Sequence, residues 1–254
     1  IGRQTVRTFK KTSAWLFSRP LASLSIPRLY RADGTEVVYS PERILAYGMK
    51  EFEFERTWPD WFHFIGPLII APTLPGPELQ WDETKKTVLV TLGTHLPWAK
   101  SQAIKLMQEV ASRMPDTIFH FSRGRMGTRE VEIRDNLHLY DFVPYNAFLH
   151  RYDAAIIHGG TGITYTCIQH GIPMLVWPHD YDQFDHAARI VHHQLGLRLK
   201  PQAHQIAQDL QTLVSSPEIR ASLDRYRQLY CNYDPGQMVF DALSSIDLSR
   251  SKIA

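Results

Sequence analysis

The residues of this sequence best suited to binding an anion form the run His158-Gly159-Gly160-Thr161-Gly162. The run follows an apolar stretch at 154–157 and precedes a stretch with helical spacing. Glycines let the backbone approach a ligand closely, and the free N–H groups at a helix start point outward with the positive end of the helix dipole. His158 can add a hydrogen bond or a positive charge, so we predict a diphosphate here. Taken alone, the glycines fit a purely structural strand-to-helix turn equally well.

A second polar cluster, residues 178–183, follows the apolar run at 173–177. It contains Asp180, Asp182 and Gln183, and acid and amide groups suit sugar hydroxyls because a hydroxyl needs both donors and acceptors. Asp180-Tyr181-Asp182 is also a D-x-D triplet that could hold a metal ion. A helix start and a histidine neutralise phosphates without one, so we expect no metal and no cofactor.

Two further segments with unusual residues also follow or end apolar runs: Gly93-Thr94 comes after residues 87–92, and Phe142-Val143 ends the run 136–143. From about residue 83 onward, such runs alternate with segments of helical spacing. The alternation predicts an α/β fold with a Rossmann-like, doubly wound parallel sheet, in which ligands bind at the carboxyl ends of the strands. The predicted strands are 87–92, 117–121, 136–143, 154–157 and 173–177; the predicted helices are 99–113, 144–151, 161–170 and 183–195, with a helical tail at 202–246.

The first 82 residues differ from the rest in composition. They are rich in Trp, Pro and Arg, with strand-like pieces at 36–39 and 61–65, and the prolines and glycines between 66 and 77 predict a linker. We therefore divide the chain into residues 1–82, a remnant of another domain plus the linker, and residues 83–254, the ligand-binding domain. The opening stretch is basic and has no acid before Asp33. A transit peptide and a membrane-surface helix both fit it, and we favour the solvated face of a helix.

Composition argues against several classes of function. The formal net charge of +2 over 254 residues gives no support for a nucleic-acid binder. Hydrophobic content of 44% with 21% charged residues is ordinary for a soluble globular protein, and no apolar run is long enough to span a bilayer. Because the only cysteines, Cys167 and Cys231, form no CxxC pair, we expect neither a disulfide scaffold nor a thiolate zinc site. A cytoplasmic location fits best, with peripheral membrane contact as an alternative.

The stretch 158–189 resembles the donor-binding signature of the UDP-glycosyltransferases, a family-1-like group with the GT-B fold. The resemblance is carried by an HGG at His158, a G-I-P at Gly171, a proline at Pro178 and a D-Q pair at Asp182, in the family's order and spacing. Weaker similarity extends over about residues 61–199 and includes FIGPL at 64–68, TLGT at 91–94 and FVPYNAFL at 142–149. The resemblance implies the C-terminal, donor-binding domain of a GT-B enzyme with a remnant of its N-terminal domain.

The resemblance also implies roles for individual residues. Phe142 would stack on a uracil-type base, the Val143 backbone would contact the base edge, and Asp182 and Gln183 would hold the sugar hydroxyls. The diphosphate would be bound by residues of three segments: Gly93, Thr94, His158, Gly160, Thr161, Gly162 and Thr164. The chain departs from the family pattern at Thr166, where a ribose-binding Glu is usual, and at Phe142, where Trp is more frequent, so the resemblance does not specify the nucleotide.

The implied reaction is transfer of a sugar from a nucleoside-diphosphate sugar, with UDP-hexose as the expected donor, to the hydroxyl of a small-molecule or lipid acceptor with inversion. The general base would come from the N-terminal domain, so we nominate none. A donor-binding module that is inactive without a partner chain is a second hypothesis. An epimerase with the same fold is a third, and Asp182-Gln183 speaks against it. We interpret His179, His192 and His193 as surface histidines and Cys167 as an apolar helix residue.

Overall fold

The computed structural model describes residues 3–23, 28–31, 36–37, 39, 43–69, 77–125 and 128–246. These residues form nine strands and nine α-helices. The strands are β1 Ile44–Tyr47, β2 Phe62–Gly66, β3 Lys86–Thr91, β4 Thr117–Ser122, β5 Val131–Arg134, β6 Leu137–Tyr140, β7 Ala154–Ile157, β8 Met174–Val176 and β9 Gly196–Arg198. The helices are α1 Arg3–Leu16, α2 Ser18–Ser23, α3 Pro97–Arg113, α4 Tyr145–Phe148, α5 Thr161–His170, α6 Gln183–His192, α7 Ala203–Ser215, α8 Pro217–Cys231 and α9 Pro235–Ser244.

Seven strands form the main sheet in the order β5-β6-β4-β3-β7-β8-β9, while β1 and β2 pair separately. All neighbours in the main sheet are parallel except β5 and β6, which form an antiparallel pair at one edge. In the central register, Val90 of β3 lies opposite Phe121 of β4 on one side and Ile156 of β7 on the other. The carboxyl ends of β3, β7 and β8 therefore lie side by side, and the segments that follow them meet at one edge.

Burial on both faces explains why the central segments are strands. Every residue of β4 and of β7 is buried, which is typical of parallel strands covered by helices on both sides. The covering helices are amphipathic: in α3 the buried side chains Ala103, Met107 and Val110 recur at the spacing of one helix face. The predicted α/β fold with a parallel-dominated sheet is thus confirmed.

Several element boundaries differ from the prediction. The run 136–143 forms only the four residues of β6, and 144–151 divides into α4 and a 3-10 turn, Leu149–Arg151. Helix α6 ends at His192, three residues before the predicted end. Strand β5 was not predicted, because it lies at the sheet edge and none of its four residues is buried, so it lacks the apolar run of a central strand. Gly171 has the predicted left-handed conformation after α5, with φ +67°.

The chain divides into two compact units. One comprises the described residues of Ile1–Ala46, Thr57–Phe64 and Gly236–Ala254, and the other comprises Tyr47–Arg56 and Ile65–Pro235, which contains the main sheet. No change of unit occurs at residue 82, so the predicted division into 1–82 and 83–254 does not follow the compact units. Of the predicted strand at 36–39, Glu36 forms a single bridge to Tyr30 and residue 38 lies outside the described residues. Most of the predicted linker, residues 70–76, also lies outside them.

Candidate functional site

His158 lies at the end of β7 between two glycines. A Cβ atom on Gly93 would lie 2.9 Å from His158 Cε1, and one on Gly160 would overlap His158 Nε2. Gly93 also has φ +67°, a conformation that favours glycine. The imidazole is half-buried in this slot, and its Nδ1 is buried without a hydrogen-bond partner among the described residues. The two glycines are therefore needed to admit the ring.

The first turn of α5, directly after His158, offers backbone amides without a side-chain cap. Gly160 is the N-cap residue, and the first bond of the helix runs from Thr164 N to Gly160 O at 3.1 Å. Thr161 and Gly162 are exposed, and the space around Gly162 is open. Uncapped amides and the positive end of the helix dipole both favour a bound anion.

The turn before α6 lies against the start of α5. Thr161 Oγ1 donates to Asp182 Oδ2 at 3.4 Å, and His186 Nδ1 donates to the Gly159 carbonyl at 2.6 Å. The Gln183 side chain is buried, and its Oε1 accepts hydrogen bonds from the backbone N–H groups of residues 179 and 180 at 2.9 and 3.1 Å. The structure thus brings the two polar clusters of the sequence together. Gln183 shapes the turn with its oxygen, while the Asp182 carboxylate is exposed at the mouth of the site.

Electrostatics make His158 a neutral ring at neutral pH. Burial, the main cause, lowers the pKa of His158 to about 4; the neighbouring His179 and His95 lower it further, while the Thr91 backbone and Asp182 oppose the shift. The positive charge considered from the sequence is therefore not present in the free protein. A neutral imidazole still has one N–H group to donate. Burial also raises the pKa of the Cys167 thiol, which agrees with its interpretation as an apolar helix residue.

One predicted contact, Thr164, is not open to a ligand in this structure, and a second, the Val143 backbone, is largely occupied. Thr164 is fully buried, and its Oγ1 has no hydrogen-bond partner among the described residues, so it does not line the surface where a phosphate would lie. The backbone of Val143 is occupied on both sides: its N–H donates to Ser122 Oγ at 3.3 Å, and its carbonyl accepts from Tyr145 N at 2.8 Å across Pro144. Phe142 is half-buried and Thr94 is exposed.

Residues 47–56 contact α5 and α6, the helices that begin at the site, and no motif in the sequence indicated these contacts. Met49 N donates to Tyr165 Oη of α5 at 3.1 Å, and Phe52 is fully buried with its ring centroid 5.6 Å from that of Tyr165. Arg189 of α6 forms an ion pair with Glu53 at 2.9 Å. These contacts fix α5 and α6, the two helices whose first turns form the site.

Within the described part of the chain, no group of three or more His, Cys, Asp or Glu side chains is arranged to hold a metal ion. In the D-x-D triplet, Asp180 Oδ1 accepts from Tyr181 N at 2.8 Å, while Asp182 lies near Thr161. Tyr181 has φ +47° and is 86% exposed, so a large side chain is held outward in a conformation that such residues rarely adopt. No helix of the described residues has the length and apolar character needed to cross a membrane.

Comparison with known proteins identifies the family. Residues 104–233, which are 130 of the 254 residues, match the family described as "Erythromycin biosynthesis protein CIII-like, C-terminal domain". The chain belongs to this family. It is the C-terminal domain found in family 1 glycosyltransferases, which confirms the resemblance derived from the sequence. The match to this EryCIII-like domain includes His158, Asp182 and Gln183 and begins after Gly93 and Thr94.

Individual proteins show the same similarity. The chain is 25% identical to 4'-demethylrebeccamycin synthase of Lentzea aerocolonigenes over 88% of its length and 54% of that protein's. A crystal structure of the kitacinnamycin glycotransferase matches 92% of this chain and 61% of its own at 23% identity with a TM-score of 0.71. Glycosyltransferase VinC in complex with dTDP matches 80% and 53% at 22% identity with a TM-score of 0.62. The EryCIII-like chain thus shares their fold and spans about half the length of the curated relative.

Proposed function

We propose that this EryCIII-like chain binds a nucleoside-diphosphate sugar and is the donor half of an inverting glycosyltransferase, with UDP-hexose as the expected donor. The observation that carries the proposal is the position of His158, which lies in a two-glycine slot directly before the uncapped start of α5. Asp182 is exposed, and its carboxylate accepts a hydrogen bond from Thr161 in the first turn of α5. A diphosphate at α5 would extend its sugar toward Asp182 and Gln183.

The chemistry of the site suits the departure of a nucleoside diphosphate. An acceptor hydroxyl oxygen attacks the anomeric carbon, the bond from that carbon to the β-phosphate oxygen breaks, and negative charge grows on the leaving diphosphate. The α5 amides are fixed donors at the proposed diphosphate position, and His158 adds a further donor if its N–H points to the ligand; preorganised donors are most effective where charge develops. The acceptor's proton passes to a general base, which we assign to no residue of this chain.

The nucleotide is proposed to carry a pyrimidine base that stacks on Phe142. A structural relative of the chain was solved with dTDP, which supports a pyrimidine diphosphate without choosing between uracil and thymine. The Val143 backbone can reach the base edge only through the second lone pair of its carbonyl, since its other groups are bonded within the protein. We leave Thr164 out of the direct phosphate contacts because it is buried.

The acceptor is proposed to be a small molecule or lipid with a free hydroxyl, and the location to be the cytoplasm. Both Cys167 and Cys231 are free thiols, which fits a reducing compartment. No metal ion is part of the proposal, because backbone amides and an imidazole lie where we propose that the diphosphate binds.

The test is calorimetric titration of UDP and dTDP into the wild-type chain and His158→Ala. Loss of one hydrogen bond to a charged oxygen should weaken binding by roughly 1–3 kcal/mol. His204→Ala, at an exposed position of α7, is the matched control and should bind like wild type. Unchanged affinity in His158→Ala would refute the role of His158, and no binding of either nucleotide to wild type would refute the proposal.

Catalysis by the chain itself is tested by nucleoside-diphosphate release from UDP-glucose, with and without the upstream segment of a full-length relative. Release with an acceptor present supports a transferase. Tight UDP binding without release in either mixture supports a binding module that needs a partner. Conversion of UDP-glucose into an epimeric UDP-hexose, without an acceptor and without net release of nucleotide, would instead support an epimerase.

A further inference from the structure

Two aromatic side chains from different segments, Trp98 and His179, meet at the end of the strand that carries His158. Strand β7 lies between β3 and β8, so His158 lies between the segment that follows β3 and the segment that follows β8. Trp98, in the first turn of α3, contacts His179, which follows β8, with ring centroids 5.5 Å apart and planes at 84°. Neighbouring strands are about 4.8 Å apart, so a contact between the outer two segments must cross the end of the middle strand. The Trp98–His179 contact therefore spans the strand end that carries His158.

His179 has a fixed orientation in this contact. Its ring centroid also lies 5.1 Å from that of Trp177, and its backbone N–H donates to Gln183 Oε1 at 2.9 Å. Two indoles thus contact the imidazole, and the Gln183 amide fixes the backbone that carries it. Such contacts restrict the ring before a ligand arrives, which lowers the entropic cost of binding.

The Nε2 atom of His179 is buried and has no hydrogen-bond partner among the described residues. Leaving a buried polar atom unsatisfied costs free energy, and native proteins keep few such atoms. His158 Nδ1, the other unsatisfied imidazole nitrogen of the site, belongs to the neighbouring segment. Burial lowers the pKa of His179, so its ring is neutral at pH 7 and offers both a donor and an acceptor, the combination that a hydroxyl group requires.

We propose that His179 Nε2 forms a hydrogen bond with a hydroxyl group of the donor's sugar. The inference rests on the proposed function, because it needs a diphosphate at α5 to place the sugar. His179 belongs to the same turn as Asp182 and Gln183, and that turn lies beside the start of α5. This position favours the sugar over the diphosphate as the partner of His179. The histidine interpreted as a surface residue from the sequence thus becomes a sugar-binding residue.

The experiment compares a nucleotide with its sugar conjugate. UDP and UDP-glucose are titrated into wild type, His179→Leu and His179→Gln, and the dTDP pair replaces them if wild type binds dTDP more tightly. His179→Leu should weaken the sugar conjugate roughly five- to tenfold while changing the free nucleotide less than about twofold. His179→Gln, whose amide can still form a hydrogen bond, should lose less. His204→Leu is the control at an exposed histidine and should match wild type.

Three results would overturn the inference. Equal weakening of nucleotide and conjugate would assign His179 to the diphosphate. Unchanged binding of both would mean that the indole face of Trp98 already satisfies Nε2. Absence of nucleotide binding in wild type would instead overturn the proposed function, which is a different failure. Thermal unfolding of each variant is measured first. If His179→Leu is unfolded, His179→Gln decides the test: its affinity for UDP-glucose divided by its affinity for UDP must be lower than in wild type.

Discussion

The main sheet carries many polar side chains both where its parallel strands begin, here called the amino edge, and where they end, here called the carboxyl edge. The two regions differ in how far these side chains are hydrogen-bonded within the protein. At the amino edge, a cavity of about 500 Å³ is lined by charged residues between Trp81 and Asp153. Asp153 accepts from Lys86 Nζ and from Thr87 N, both at 2.8 Å, and Arg151 pairs with Glu83 while its guanidinium lies 4.1 Å from the Trp81 ring. None of the described residues lining this cavity has a buried side-chain polar atom without a partner.

At the carboxyl edge, by contrast, several polar groups lack hydrogen-bond partners among the described residues. His158 Nδ1 and His179 Nε2 are buried without partners, and the first turn of α5 is uncapped. The amino-edge cavity has a volume ordinary for a ligand site, yet the described residues that line it have no buried side-chain polar atom left without a partner. At the carboxyl edge a bound ligand can gain new hydrogen bonds from the uncapped amides and the two imidazoles, so we place the site there.

Among the variants that test this comparison, Gly93→Ala is expected to cause the largest losses of stability and of UDP affinity. Gly93 and Gly171 share φ +67°, so alanine at either position costs about 1–2 kcal/mol of stability from the left-handed backbone. At Gly93 the new methyl group also meets the His158 ring, whereas at Gly171 the nearest atom is Arg227 Cδ at 3.9 Å. We expect a further loss of about 1–3 kcal/mol and at least roughly tenfold weaker UDP binding only in Gly93→Ala.

Gly171→Ala is the matched control for that experiment, since it repeats the backbone strain away from the site. Urea unfolding measures the stability of both variants, and calorimetry measures UDP affinity. If Gly93→Ala binds UDP as tightly as Gly171→Ala does, the slot around His158 is not what creates the anion site.

An effect of intermediate size is expected from pH. Burial lowers the pKa values of His158 and His120 from 6.5 to about 4. The unfolded chain therefore takes up protons that the folded chain does not, so stability is fully present above pH 6.5 and falls as the pH decreases toward 4. Each histidine should account for a loss of about 2 kcal/mol between pH 7 and pH 5. Urea unfolding at both pH values should show a smaller difference in His158→Gln and in His120→Gln than in wild type.

Adding UDP distinguishes the contribution of His158 to the pH dependence of stability from that of His120. His120 is fully buried in β4, and both of its nitrogens have partners, Tyr152 Oη at 3.0 Å and the Gln80 carbonyl at 2.8 Å. Saturating UDP should reduce the part of the pH dependence that comes from His158, because a phosphate favours the protonated ring, and leave that of His120 unchanged. Equal changes in both would contradict a diphosphate at His158.

The smallest effect is expected at the amino edge. Asp153→Ala removes the acceptor of Lys86 and Thr87 and should lower stability by about 1 kcal/mol, because the exposed ion pair adds little and one backbone hydrogen bond is lost. UDP affinity should equal that of wild type in calorimetry. Weaker UDP binding in this variant would show that the two edges are coupled or that the ligand occupies the amino-edge cavity.

Much of the fold could be predicted from the sequence, and the misses share a cause. The strands β3, β4, β7 and β8 are short segments dominated by β-branched and other apolar residues because both of their faces are buried, so composition locates them. Strand β5 lies at the edge and is stabilised mainly by pairing with β6, which no local pattern records. The segment 47–56 joins the larger unit through contacts more than a hundred residues away in sequence, such as that between Met49 and Tyr165.

By itself, the sequence determined that glycines follow a histidine at a strand-to-helix turn and that a D-Q pair begins the next helix. Both are local facts, since backbone freedom and helix starts depend on neighbouring residues. Only the tertiary structure decided that His158 is neutral, that Thr164 and the Val143 amide face inward, and that His179 contacts Trp98. Burial and the meeting of three strand ends set those properties, and they arise only when distant segments pack together.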